Sequence, residues 1–298
     1  MGSDGMSRRE LLAAGAALPF VIGSAGGAAA PVKGRIKQSA SMWCYRGVSL
    51  DQLCVEGKKF GLMGVDLLRP NSFPTLKKHG MVCTMTSCNG IARGFNRTEH
   101  HDQLIRNIRD AIDATAAAGF PNVICFSGNC KGMSHDEGLE NCTAGLKKVV
   151  GYAEKKGVTL CMEYLNTKNH RDYMCADSKW AFELVKRVGS PRFTILYDIY
   201  HVAMMEAEIV EEGGKKVAKH NIHQLIKDNI AAIGHFHTGG YPGRKDLDDT
   251  QLLDWPALMR TIAEAGYTGY VAHEFIPKAK DPKGKLAALE HAVKLCDV

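Results

Sequence analysis

The sequence predicts one (β/α)8 TIM barrel of the α/β class, and three observations lead there. After residue 35, short apolar runs alternate with amphipathic ones in strict order. Each kind occurs eight times. Glycine repeatedly closes an amphipathic segment just before the next apolar run. Alternation argues for parallel strands joined by crossover helices, and eight repeats argue for closure. A doubly wound open sheet would carry a glycine-rich phosphate loop after an early strand, and none is present.

The apolar runs are SASMWCY (39–45), MGVDLLRP (63–70), MVCTMTSC (81–88), NVICFSG (122–128), VTLCMEYLN (158–166), FTILYDIYH (193–201), IGHFHTG (233–239) and TGYVAHEFIP (268–277). Between them run SLDQLCVEGKKFG, FPTLKKHG, HHDQLIRNIRDAIDATAAAGF, DEGLENCTAGLKKVVGYAEKKG, DSKWAFELVKRVG, HNIHQLIKDNI, WPALMRTIAEAG and KGKLAALEHAVKLC. Gly61, Gly80, Gly119, Gly157, Gly189 and Gly266 stand where helix C-caps belong. Asp177 or Ser178 can cap the fifth helix, and Asp254 or Trp255 with Pro256 opens the seventh.

Composition fits a folded globular chain: 298 residues, 45% hydrophobic and 23% charged. The net charge of +6 comes from scattered Lys and Arg without a basic run, which argues against nucleic acid as a partner. The first thirty residues read apart from the barrel. Arg8 and Arg9 precede an apolar stretch from Leu11 to Ala30 that ends in Ala28-Ala29-Ala30. This is the pattern of a twin-arginine export signal with an A-x-A-type cleavage site, so the expectation is residues 1–30 as signal and 31–298 as one domain. The expected location is periplasmic or exported, with the twin-arginine machinery as a transient partner. Glycines and Pro19 interrupt the stretch, which disfavours a permanent anchor, and no later run is long enough to span a bilayer.

Ten cysteines occur at irregular spacing without a CxxC. Cys125 and Cys161 lie inside apolar runs, where a buried thiol is the default. Cys88 and Cys130 follow neighbouring strands and could pair.

In a barrel of this kind, chemistry gathers at the C-terminal ends of the strands. There the chain places Glu163 and Asn166 after strand five, Asp198 and His201 at strand six, His235 and His237 on strand seven, and Glu274 on strand eight. Period-two alternation puts His235 and His237 on one face, and Ala272 with Glu274 on another shared face. A lone acid at a strand end is usually a cap or a solvated group. Four consecutive strands with acids or imidazoles at one rim are a divalent-metal set: Glu163, Asp198, His237 and Glu274. Oxygen ligands with one imidazole suit Mn²⁺ or Mg²⁺, with Co²⁺ a further option, better than Zn²⁺. His235, one layer deeper, is expected to orient its neighbours. Gly239 and Gly240 would let the following loop turn without crowding the ion. His273 is expected to face outward at the surface. Trp43, Arg69 and CNGIARGFNR are expected to shape the pocket.

The segments EYLNTKNHRDYMC, RVGSPRFTILYDIYHVAMME, GHFHTGGYPGRKDLDDTQ and GYTGYVAHEF resemble the hydroxypyruvate isomerase family, within the xylose-isomerase-like barrels that include ketose 3-epimerases. The resemblance covers nearly the whole chain after about residue 36 and is strongest over 158–277. It implies that Glu163, Asp198, His237 and Glu274 hold one metal ion. It also implies that His201, in Asp198-x-x-His201, and Arg244, in PGR, contact the substrate; Asn166 is placed with them. Dimers or tetramers are common in the family, which makes a homo-oligomer an analogy-based expectation. The family's hydroxypyruvate isomerases often carry glutamine where His237 stands, and its epimerases histidine.

The expected chemistry is proton transfer. A chelated carbonyl and neighbouring hydroxyl acidify the C–H between them. Glu163 or Glu274 removes that proton to give a cis-enediolate, and a proton returns elsewhere. Return to the neighbouring carbon isomerises, as from hydroxypyruvate to tartronate semialdehyde. Return to the opposite face of the same carbon epimerises a ketose or keto-sugar; cyclitol ketones fit the same scheme. A non-catalytic carbohydrate-binding barrel is the alternative of another class, and the intact pair of glutamates argues against it. A related barrel nuclease would need more rim histidines than the chain places.

Overall fold

A computed structural model describes residues 34–298; the twin-arginine segment lies outside the described residues. Eight parallel strands form one sheet: β1 (Lys37–Ser41), β2 (Gly64–Asp66), β3 (Val82–Cys83), β4 (Asn122–Cys125), β5 (Thr159–Glu163), β6 (Phe193–Asp198), β9 (Ile233–Thr238) and β10 (Tyr270–His273). Their spatial order is β3-β2-β1-β10-β9-β6-β5-β4, which is chain order read around a ring. Two backbone hydrogen bonds join the ends: Thr86 N–H to Asn122 O at 2.9 Å, and Ile124 N–H to Thr86 O at 3.0 Å. These close the barrel beyond the short β3.

The crossovers are helical: α1 (Leu50–Lys59), α2 (Phe73–Lys78), α3 (His101–Ala118), α4 (His135–Lys156), α5 (Ser178–Val188), α7 (Ile222–Asn229) and α8 (Trp255–Glu264), with α9 (Pro282–Leu295) after the last strand. Local signals set their ends. The Ser134 hydroxyl accepts from Glu137 N–H at 3.2 Å, acids occupy the first turn of α4, and Lys155 and Lys156 occupy its last. Gly157 then takes the left-handed conformation at φ +71, as expected of a C-cap. Asp177 and Asp254 cap α5 and α8, accepting from Trp180 N–H and Ala257 N–H.

Two departures from the sequence reading matter for the site. The run 193–201 is not one strand: β6 ends at Asp198, and α6 (Ile199–Glu206) starts at once. The Asp198 carboxylate accepts from His201 N–H at 3.2 Å, so the same acid ends the strand and caps the helix. The segment 208–219, to which the periodicity assigns no element, is an antiparallel hairpin of β7 (Glu208–Glu212) and β8 (Lys215–Lys219). Gly213 and Gly214, at φ +57 and +76, make its turn.

His273 faces away from the barrel interior, as its alternation requires, but it is fully buried rather than at the surface. Its Nε2–H donates to Gln38 Oε1 at 2.8 Å, and its Nδ1 accepts from the Thr238 hydroxyl at 3.0 Å. Gln38 donates in turn to Val293 O on α9. This network ties β1, β9 and β10 to the last helix. All ten cysteines are free thiols, Cys88 and Cys130 included. Among the described residues no helix is long and apolar enough to cross a membrane.

Candidate metal centre and active site

The strand ends bring Glu163, Asp198, His237 and Glu274 together. One ligand atom from each lies within 4.8 Å of the others, and all four residues are buried. Glu163 and Asp198 close β5 and β6, His237 is next to last on β9, and Glu274 follows β10 directly. Parallel register aligns them: Asp198 pairs with His237, and His237 with Ala272, two residues before Glu274.

His237 is held from behind. Its Nε2 lies 2.7 Å from Asp66 Oδ2 at the end of β2. Asp66 also accepts from the Thr84 hydroxyl at 2.9 Å and the Ser41 hydroxyl at 3.3 Å, and His235 Nε2 stands 3.3 Å away. A carboxylate needs a donor, so Nε2 carries the proton and Nδ1 is left with its lone pair. That lone pair points at the acids: Nδ1 is 2.5 Å from Glu274 Oε2, 3.7 Å from Asp198 Oδ2 and 3.8 Å from Glu163 Oε1. Yet Nδ1 forms no hydrogen bond with any of them. A buried lone pair facing three carboxylates is a donor set for a hard cation. The residues therefore fit a divalent metal ion.

The ionisation tendencies reflect the same crowding. Burial, reinforced by the Glu274 charge, pushes Glu163 well above the usual carboxylate range. Burial would also raise Asp198, but Arg244 and His201 outweigh it and hold Asp198 below its ordinary value. Burial favours a neutral His237, while the Glu274 and Asp66 carboxylates pull its pKa well up, so a cation at Nδ1 would take the place of a proton there.

Arg244 enters from the loop after β9. Its Nη2 donates to Asp198 Oδ2 at 2.9 Å and Glu274 Oε2 at 2.5 Å, and its Nε donates to Glu274 O at 3.1 Å. Its Nη1 also meets His201 Nε2. The guanidinium carbon lies 4.9 Å from the Tyr200 ring centre and 6.0 Å from that of Trp43. Gly239 and Gly240 make this approach possible through space rather than through unusual backbone angles. A Cβ on Gly239 would stand 3.2 Å from Tyr200 and 3.3 Å from Arg244, and one on Gly240 would stand 2.5 Å from Asp246 O.

His201 faces the cavity, with Nδ1 accepting from Asn166 N–H at 3.1 Å. The Asn166 side chain turns to His201 Nδ1 and to Asn169 rather than into the cavity. Asn166 thus sits behind a cavity residue and does not line the space itself. Trp43 gives more than a wall: its indole N–H donates to Glu274 Oε1 at 2.6 Å. Asn89, Gly90, Ile91 and Ala92 of CNGIARGFNR line the cavity, while Arg69 is exposed and outside it.

The sequence reading missed Asp66. It is the one acid in an apolar run of the barrel's first half, and only its position at the end of β2 would have drawn notice. The cavity over the acids holds about 1000 Å³.

A family model described as a xylose isomerase-like TIM barrel matches residues 75–294. The 2-oxo-tetronate isomerase of Pectobacterium atrosepticum is 23% identical over 237 residues, covering 75% of this chain and 85% of that one. The hydroxypyruvate isomerase of Escherichia coli is 23% identical over 175 residues, 58% of this chain and 62% of that enzyme. Among solved structures, AP endonuclease, family 2 from Brucella melitensis superposes with a TM-score of 0.72 at 22% identity, over 84% of this chain and 96% of that one. D-Psicose 3-epimerase from Clostridium cellulolyticum gives 0.66 at 15% identity, over 88% and 96%. At such identities the superpositions speak for the fold alone.

Proposed function

The chain belongs to the xylose isomerase-like TIM-barrel family, and from that premise we propose a metal-dependent isomerase that moves a proton on a hydroxy-carbonyl compound through its cis-enediolate. The observation that carries this reading is the convergence of Glu163, Asp198 and Glu274 on Nδ1 of His237. Mn²⁺ or Mg²⁺ suits that donor set. When bound, such an ion polarises a carbonyl and its neighbouring hydroxyl and acidifies the C–H between them.

The chain's own groups do the rest. Glu163 and Glu274 stand on β5 and after β10, either side of β6 and β9, and can address different atoms or faces of one small carbon skeleton. Trp43 and Arg244 fix the Glu274 carboxylate by donating to its two oxygens. His201, oriented by Asn166 and in contact with Arg244, stands in the cavity wall beside a bound substrate. Arg244 can hold a further oxygen.

The simplest substrate of this scheme is hydroxypyruvate, giving tartronate semialdehyde, and the relative named hydroxypyruvate isomerase favours it, while the relative named 2-oxo-tetronate isomerase favours a four-carbon analogue. Epimerisation of a ketose or keto-sugar is the second reading, supported by histidine at position 237. Both share one proton abstraction. Mn²⁺-loaded protein in D₂O should incorporate deuterium next to the carbonyl of its substrate. Glu163→Gln and Glu274→Gln should each slow that exchange by roughly 10²–10⁴-fold. Exchange that persists in both variants would overturn the scheme. We propose in addition that residues 1–30 direct export through the twin-arginine route.

A further inference from the structure

A second cleft opens beside the active one, and its wall is basic. It holds about 330 Å³ and lies between the loop after β1, which supplies Trp43 and Arg46, and the segment after β10, which supplies Ile276, Pro277 and Lys280. Lys285, in the first turn of α9, completes the wall. The three cations come from separate segments, so no basic run in the sequence announces them. Lys285 is half-buried, and its Nζ donates to Arg46 O at 2.5 Å, which holds it against the β1 loop with further N–H donors to spare. The side chains of Arg46 and Lys280 are exposed and have no hydrogen-bond or ion-pair partner among the described residues.

What sets this cleft apart is the lack of an acid. The neighbouring groove between α1 and α9 places Lys59 and Lys283 beside Glu56 and Glu290. Here no carboxylate lines the wall. Asp281, the nearest acid in the sequence, turns its Oδ1 to the Gly284 N–H as the cap of α9. Uncompensated cations repel one another, and a bound anion relieves that repulsion. A guanidinium fork with two ammonium groups suits the oxygens of a phosphate. The volume is that of roughly ten waters at ~30 Å³ each, which is room for a phosphate and the atoms attached to it.

We propose that this cleft is a binding site for a phosphate group. Trp43 and Ile276 line both the cleft and the active cavity, so the two spaces share a wall. The same Trp43 donates its indole N–H to Glu274. Two sources supply that chemistry. The phosphate is either free in solution or the far end of a phosphorylated substrate whose hydroxy-carbonyl end lies over the acids. The site stands on the cleft alone, and only the second source rests on the enediolate reading.

The test begins with inorganic phosphate, titrated by calorimetry into the Mg²⁺-loaded protein at low ionic strength. One saturable site is expected. Arg46→Ala combined with Lys280→Ala should weaken it by about ten-fold or more, through the loss of charge-assisted hydrogen bonds. Lys147→Ala, exposed on α4 across the ring, removes a charge without touching the cleft and should leave binding unchanged. Equal weakening by Lys147→Ala would reduce the effect to net charge and overturn the site. Binding indifferent to Arg46 and Lys280 would put the phosphate on the Mg²⁺ ion and overturn it as well, as would the absence of saturable binding. D-Xylulose and D-xylulose 5-phosphate separate the two sources. An ester that binds more tightly than both the free sugar and inorganic phosphate, and loses that advantage in the double variant, makes the group part of the substrate. An ester no tighter than inorganic phosphate makes free phosphate the ligand of the site. Phosphate binding without deuterium exchange in any hydroxy-carbonyl compound would uphold the cleft and count against the enediolate reading. Exchange in a protein that binds no phosphate would do the reverse.

Discussion

Asp66 never reaches the cavity, yet it decides which nitrogen of His237 faces the acids. Replacing it by asparagine keeps its size and removes its charge. The imidazole then loses the partner that fixes its tautomer and strengthens its lone pair. Asp66→Asn should lower Mn²⁺ affinity by roughly 10–100-fold, read by calorimetry, while the far-ultraviolet circular dichroism stays unchanged. Unaltered affinity would mean that the Asp66–His237 contact has no bearing on the site. The convergence of the four proposed ligands was legible because four strand ends in succession carry them. Asp66 was not, because its partners come from β9 and from Thr84, distant in sequence and joined only by barrel closure.

His273 makes the second argument at this scale. Burial pushes its imidazole down to about 3, so the native protein keeps it neutral through mild acid. The unfolded chain takes up a proton near its ordinary value of about 6.5. The contribution to stability is therefore complete above about 6.5 and is lost as pH falls toward 3, at about 1.4 kcal/mol per unit for this one group. Urea unfolding at pH 7 and pH 4.5 should show a smaller acid loss in His273→Gln than in the unaltered protein, by roughly 2–3 kcal/mol. Equal losses would show that burial does not hold the imidazole neutral.

At the level of elements, boundaries announced by glycine were readable and boundaries set by a functional side chain were not. All six expected C-cap glycines have positive φ. At Gly157 nothing lies within 4 Å of an added Cβ, so only backbone strain opposes a side chain there. Gly157→Ala should destabilise the fold by ~1–2 kcal/mol, a fall of a few degrees in Tm, without affecting metal binding. An unchanged melting curve would contradict the capping role. The end of β6 gave no such signal, since FTILYDIYH contains neither glycine nor proline and its apolar residues continue past Asp198. The strand stops because Asp198 caps α6 as well as facing His237. The hairpin of β7 and β8 was readable through Gly213-Gly214, but its charged strands are exposed and lack the apolar alternation by which the other strands declare themselves.

For the whole molecule, the closed ring was the most legible feature, because eight repeats without a linker leave few alternatives. The proposed export of the chain belongs here too. Arg8→Lys with Arg9→Lys should leave the longer precursor inside the cell, where fractionation and mass spectrometry would find it uncleaved at Ala30. Mature protein outside in normal amount would count against the twin-arginine route. The ring also imposes an order in time. Glu274 directly follows the last strand, and Trp43, which anchors it, directly follows the first. A nascent chain still on the ribosome can thus form much of the barrel wall while its cation cage lacks the final carboxylate. Loading with the proposed ion would then wait for the end of synthesis, and a chain terminated before Glu274 would carry three of the proposed ligands and an indole with no acid to hold.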